Sequence, residues 1–373
     1  MRIAILTLPP RENYGGILQC YGLQTVLERM GHEVEIIDEP YKINHVPFIQ
    51  MVLRIGKRLV LKYLFLKECH IFIERDMERL RPIIRQHLER FMNQYLHRKV
   101  YNTVYDINPN DYDAIVVGSD QIWRTKYYHS ISNAFLDFAE GWKVKRIAYA
   151  ASFGLDTWKY TQEETKVCAK AIQLFDMVSV REESAVGLCK QYLQKEAKWV
   201  VDPTMLLQRS DYEKLIDDYQ TPLSKGDLFC YILDGSVEKN ILVEKIAKEK
   251  HLKPFAMTEI NGDVKSNVEG LVKQPVESWL RAFRDAKFIV TDSFHACVFC
   301  IIFSKPFVVV GNADRGMTRF NSLLKKFDLQ KHILLSPKDY LSGADYNLPV
   351  SVTNRLLEES KADFKFLNDC LNS

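Results

Sequence analysis

The chain has 373 residues, 47% of them hydrophobic and 27% charged, with a formal net charge of +3. This is the balance of a soluble globular protein too long for one ordinary core, so two domains are expected, and the small net charge gives no case for nucleic acid. No apolar run reaches the roughly 18 residues a spanning helix needs. The apolar start is far shorter than a secretory signal and soon meets Arg11 and Glu12, so it reads as a first strand of a cytoplasmic protein.

Residues 3–8 form that strand, and Asn13-Tyr14-Gly15-Gly16 is a turn. From Ile17 to Met30 apolar residues recur at helical spacing, Gly31 stops them, and 34–37 is a second strand, giving a Rossmann-like opening. A helix N-terminus with two glycines offers N–H groups to an anion or a sugar hydroxyl. Without a G-x-G-x-x-G spacing, the plain reading of Gly15 and Gly16 as a tight turn stays equally open. Residues 46–99 differ in character and read as a helical insertion, with 12 basic against 5 acidic side chains between 51 and 100. Two readings stay open here: a basic amphipathic helix resting on the inner face of an anionic membrane, or helices packed on the sheet with solvated charges.

The α/β rhythm returns with a strand at 113–118 that opens into Ser119, Asp120, Gln121 and Trp123. Another at 146–151 ends at Ser152, Phe153 and Gly154, and one at 177–180 closes on Arg181, Glu182, Glu183 and Ser184. A strand at 199–201 leads into Asp202-Pro203-Thr204. Each hands a polar cluster to the same sheet edge, where open parallel sheets bind ligands; for Ser184 and Asp202 a helix N-cap is the preferred role. Residues 208–226 are polar and read as the inter-domain connection. A second α/β domain follows, with strands at 228–233 and 255–257 and helices at 237–249 and 276–283. In it, residues 288–311 give strand, polar loop (Asp292, Ser293, His295), buried helix and strand. Asn312, Asp314, Arg315, Gly316, Arg319 and Phe320 lead into a further helix. The expected architecture is α/β and GT-B-like: Rossmann-like domains at 1–208, with the insertion at about 46–99, and 209–350, then a helix at 351–373 crossing back to the first. Of eight cysteines only Cys297 and Cys300 have C-x-x-C spacing; within an apolar helix and with no second ligand pair, they read as buried thiols.

The motifs N-Y-G-G-I-L-Q-C-Y-G-L-Q (13–24), G-S-D-Q-I-W (118–123), Y-A-A-S-F-G (149–154), V-S-V-R-E-E-S (178–184), V-D-P-T (201–204) and T-D-S-F-H (291–295) occur in that order. Together they resemble the polysaccharide pyruvyl transferase family. The resemblance implies transfer of a pyruvyl group from phosphoenolpyruvate onto a sugar of a surface polysaccharide, or its lipid-linked precursor, as a ketal, with no cofactor or metal. Phosphoenolpyruvate carries a carboxylate and a phosphate, which suit Arg forks, so Arg181, Arg315 and Arg319 are donor-binding candidates. Ser293 belongs to that group by position, standing where many family members have the Arg of R-x-H. Protonating the enol carbon needs an acid, for which His295 is first choice, and Asp120 and Asp292 are candidates for base or acceptor-hydroxyl binder. Acceptor contacts are expected from Asn13, Tyr14, Gly15, Gly16, Gln121 and Trp123, although packing is the first reading of Trp123. Two alternatives remain: a GT-B glycosyltransferase using a nucleotide sugar, and a non-catalytic carbohydrate-binding relative, for which the Ser293 departure is the best support.

Overall fold

The computed structural model describes residues 1–39, 48–64, 71, 73–128, 130–257, 271–311 and 316–373. The first sheet is built from β1 (Arg2–Leu6), β2 (Glu33–Asp38), β3 (Arg98–Val100), β4 (Ala114–Val117), β5 (Lys145–Ala151), β6 (Met177–Val180) and β7 (Lys198–Trp199). All pair in parallel, in the order β3-β2-β1-β4-β5-β6-β7. β4 (AIVV) and β6 (MVSV) are buried throughout, as strands covered on both faces must be. The chain runs outward from β1 to β3 and then returns to β4. The crevice where strand order reverses therefore opens between the ends of β1 and β4.

The second sheet, β8 (Leu228–Tyr231), β9 (Pro254–Phe255), β10 (Phe288–Thr291), β11 (Phe307–Val310) and β12 (Ile333–Leu334), is also parallel, in the order β12-β11-β10-β8-β9. Its reversal lies between β8 and β10. Helix α1 (Tyr14–Arg29) runs between the sheets with 11 of its residues buried. One hydrophobic core continues from α1 into the second domain, where the Tyr14 ring stacks on Trp279 at 5.6 Å. This shared core fixes the two crevices face to face. The expected two-Rossmann, GT-B-like architecture is what the sheets form.

Helices α2 (Phe48–Tyr63), α3 (Ile73–Ile84) and α4 (Gln86–Tyr95) fill the connection from β2 to β3. The insertion ends in β3, a three-residue edge strand (RKV) whose basic sequence carries no apolar strand pattern. Helices α5 (Gln162–Ile172) and α6 (Glu183–Leu193) follow β5 and β6. The polar stretch expected to be linker is largely α7 (Arg209–Asp218): its buried Tyr212, Leu215 and Ile216 recur at helical spacing, a weak pattern in a polar setting. Helix α8 (Val237–Lys250) follows β8, α9 (Val276–Asp285) precedes β10, and α10 (Phe294–Ile302) and α11 (Thr318–Lys326) flank β11. Helix α12 (Val350–Asn372) returns to the first sheet: Asp363 accepts from the Val201 N–H at 2.8 Å, and Lys145 donates to the carbonyls of Cys370 and Leu371. Among the described residues no helix is long and apolar enough to cross a membrane. Cys297 and Cys300 are buried in α10, and burial pushes both thiols up.

Candidate active site at the facing switch points

The two crevices close around a cavity of about 290 Å³ lined by Leu8, Asn13, Asp120, Gln121 and Tyr127 from the first domain and by Leu233, residues 292–295 and Arg319 from the second. On the first side, the loop after β4 is tied from behind. Gln19 of α1 accepts from the Ser119 N–H at 3.0 Å and donates to Thr7, and the Thr7 hydroxyl donates to the Ser119 carbonyl. Gly118 has φ +126, and a Cβ there would stand 2.1 Å from the Tyr149 carbonyl oxygen, so only glycine fits. Asp120 follows with φ 59, a left-handed conformation aspartate tolerates.

Behind Asp120 lies a buried charge network. Arg181, at the end of β6, donates to Asp120 at 3.0 Å and to Asp202 at 2.6 Å, and its Nε faces Glu182 at 3.7 Å. Phe294 from the second domain covers the guanidinium at 4.4 Å. Asp202 also takes the Thr204 hydroxyl and N–H, while its other oxygen lies 3.7 Å from His295 Nε2. That separation is an ion-pair distance, too long for a hydrogen bond. The pair thus spans the domains.

Burial pushes the Asp120 carboxyl up, but Arg181, His295 and Arg319 outweigh it and hold it below its ordinary value. Asp202 is also held well down, by His295 and Arg181 against its burial, whereas burial prevails at Glu182 and raises it. Burial, with Arg181 adding repulsion, lowers Arg319 to about 10. The cavity therefore combines an ionised carboxylate, a guanidinium and an imidazole, separate enough in chemistry to act on one substrate as base, anion clamp and acid.

Of the residues picked from sequence, Asn13, Asp120, Gln121, Asp292, Ser293, His295 and Arg319 line the cavity. Asn13 is the N-cap of α1: its Oδ1 accepts from the Gly15 and Gly16 N–H groups at 3.0 and 3.4 Å. Those N–H groups are thus engaged, which corrects their reading as open anion donors. Gly15 has another role, because the His295 imidazole lies directly on it and a Cβ would stand 2.1 Å from the His295 ring. Tyr14 is buried, its ring stacked on Trp279 and its hydroxyl donating to the Gln274 carbonyl, and it lines a wider neighbouring cleft, whereas Trp123 is fully buried, stacked on Phe135 and donating to Ala134, away from the charged cavity. Gln121 accepts from Arg124 at 2.6 Å.

Asp292 is corrected more firmly. Its oxygens accept from the Leu233 N–H at 2.6 Å, the Asp234 N–H at 3.0 Å and the Lys239 ammonium at 2.7 Å, so it clasps the loop after β8 and is ill placed to be a base. Ser293 is the N-cap of α10, accepting from the Ala296 N–H. Arg181 does not line the cavity; its guanidinium is engaged by carboxylates, which makes it a positioning group for Asp120. Arg315 lies outside the described residues. Sequence reasoning missed Glu182, which accepts from Ser152 at 2.5 Å, and the reach of Asp202 to His295, since one residue type serves both cap and ion pair. A wider cleft of about 750 Å³ lies alongside, walled by Tyr231, Ile232, Val243, Phe255 and Met257, and shares Asn13 and Leu233 with the charged cavity.

The family model described as polysaccharide pyruvyl transferase matches residues 13–315. Among curated proteins, high molecular weight rhoptry protein 3 of Plasmodium falciparum is 24% identical over 143 residues. The match covers 37% of this chain and only 15% of that protein. Among solved structures, UDP-GlcNAc 2-epimerase from Neisseria meningitidis bound to UDP-GlcNAc has a TM-score of 0.47 at 12% identity, over 98% of this chain and 93% of that one. Arabidopsis thaliana UGT89C1 complexed with UDP-L-rhamnose has a TM-score of 0.49 at 10% identity, over 99% and 98%. At these identities and scores the likeness says nothing of ligand.

Proposed function

This chain belongs to the polysaccharide pyruvyl transferase family, a family of transferases, and from that premise we propose that it moves a pyruvyl group from phosphoenolpyruvate onto two hydroxyls of a saccharide, free or lipid-linked. It needs no further cofactor, and it works in the cytoplasm or at the inner face of a membrane. The observation that carries the reading is the meeting of Asp120, His295 and Arg319 in one cavity at two facing switch points. Arg319 holds the donor's carboxylate or phosphate. His295, as the general acid, gives its proton to C3 of the enol, and C2 becomes oxocarbenium-like. The first acceptor hydroxyl bonds to C2 as Asp120 takes its proton. Phosphate then leaves with the C2–O bond, and the second hydroxyl replaces it, its proton returning to His295. The products are the ketal and inorganic phosphate, with Asp120's proton passing to the departing phosphate.

An ionised carboxylate held below its ordinary value is a weak base, so Asp120 takes that proton late, as positive charge builds on the attacking oxygen. The wider cleft, which Glu12, Asn240 and Lys273 also line, offers room for the remainder of the acceptor. Phosphoenolpyruvate should raise the unfolding temperature of the wild type, as a ligand of the folded state must, and lose that effect in Arg319→Ala. His295→Ala should bind the donor yet release phosphate about 100 to 10,000 times more slowly. Stabilisation by nucleotide sugars alone would overturn the reading in favour of a glycosyltransferase, and binding of saccharide alone would favour a non-catalytic relative.

A further inference from the structure

Helix α2 faces the opposite way from an ordinary surface helix. At 100° per residue, Val52, Leu53, Leu59, Val60, Tyr63 and Leu64 fall on one side, Arg54 and Arg58 fall on the other, and Lys57 and Lys62 lie at the margins between. A surface helix buries such an apolar stripe, but here the stripe meets solvent: Leu53 is 67% exposed, Tyr63 68% and Leu64 74%. On the opposite side the half-buried Arg58 donates to the Ile71 carbonyl at 3.2 Å. The helix carries four cations and no acid.

We propose that α2 is an interfacial anchor that lays its apolar face into the surface of an anionic lipid bilayer. The exposed stripe supplies the insertion, and the flanking ammonium groups of Lys57 and Lys62 meet lipid phosphates. A second copy of the chain is the poorer occupant, because a two-fold contact would bring the flanking Lys57 and Lys62 of both copies together with no acid on either helix. The proposal identifies the surface behind the membrane contact included in the catalytic reading. It uses no residue of the cavity, so either can fail without the other.

The test is co-flotation of the full chain with vesicles of phosphatidylcholine, with or without phosphatidylglycerol. The wild type should float with the anionic vesicles at low salt, stay behind with the neutral ones, and be released as salt rises. Lys57→Glu with Lys62→Glu, and separately Leu53→Asn with Leu64→Asn, should each bind at least about tenfold more weakly, with unfolding temperatures matching the wild type. Absence of wild-type flotation on anionic vesicles, or undiminished flotation of both variants, overturns the proposal. So does a dimer in sedimentation that Leu53→Asn with Leu64→Asn dissolves, since that assigns the face to a second copy.

Discussion

At the first switch point the polar groups that follow β4, β6 and β7 turn toward one another: Asp120, Arg181, Glu182 and Asp202 form one buried network behind the cavity wall. At the second, Asp292 and Ser293 turn back on their own domain, one clasping the loop after β8 and the other capping α10, while His295 crosses to meet Gly15 and Asp202. Both edges carry the same kinds of residue at the same topological place. Polar residue types at a strand end are therefore only the raw material of a site; the partner each group finds decides whether it faces substrate or holds the scaffold.

Removing the centre of the first network should have the largest effect. Arg181→Met leaves Asp120 and Asp202 buried without their cation and should cost about 3–5 kcal/mol, read by urea unfolding; a loss below about 1 kcal/mol would mean that the first half is not held by charge. Gly15→Ala tests the crossing of His295. The new methyl occupies the imidazole's place, so phosphate release from phosphoenolpyruvate should fall about 100-fold with about 1–3 kcal/mol of destabilisation. Full activity would show that His295 does not act from this position.

Asp292→Asn sharpens the contrast from the other side. It removes the charge that meets Lys239 and one acceptor of the clasp, and should lower stability by about 1–3 kcal/mol while turnover of the surviving folded protein stays within a few-fold. A collapse of turnover at unchanged stability would return Asp292 to the catalytic group. The smallest effect is on acid sensitivity. Asp120 and Asp202 have folded values below the ordinary 3.8, so as pH falls the unfolded chain takes up protons first. The stability they contribute is complete above that ordinary value and drains away as pH falls through the folded ones. Denaturation at stepped pH should show this decline in the wild type and a shallower one in Arg181→Met, where the carboxyls have lost a partner.

The apolar strands, their parallel pairing and the edge that carries the candidate site were legible in sequence, because a doubly wound sheet needs continuous apolar strands and leaves its polar loops at their carboxyl ends. The opening of β1 and α1, the strand before Asp120 and the stretch from β10 to β11 all follow this rule. β3 and α7 escaped it, since a three-residue basic edge strand and a polar helix with one buried face give little periodic signal. The sequence by itself determined two facing α/β halves and a set of polar residues at their inner edges. Only the tertiary structure decided the roles within that set. Arg181 meets Asp120 across 61 residues, Ser119 meets Gln19 across 100, and His295 comes to rest on Gly15 and beside Asp202 from the other domain. Each of those pairings is settled by burial and by which partner is nearest in space, quantities that a local pattern of residues does not carry.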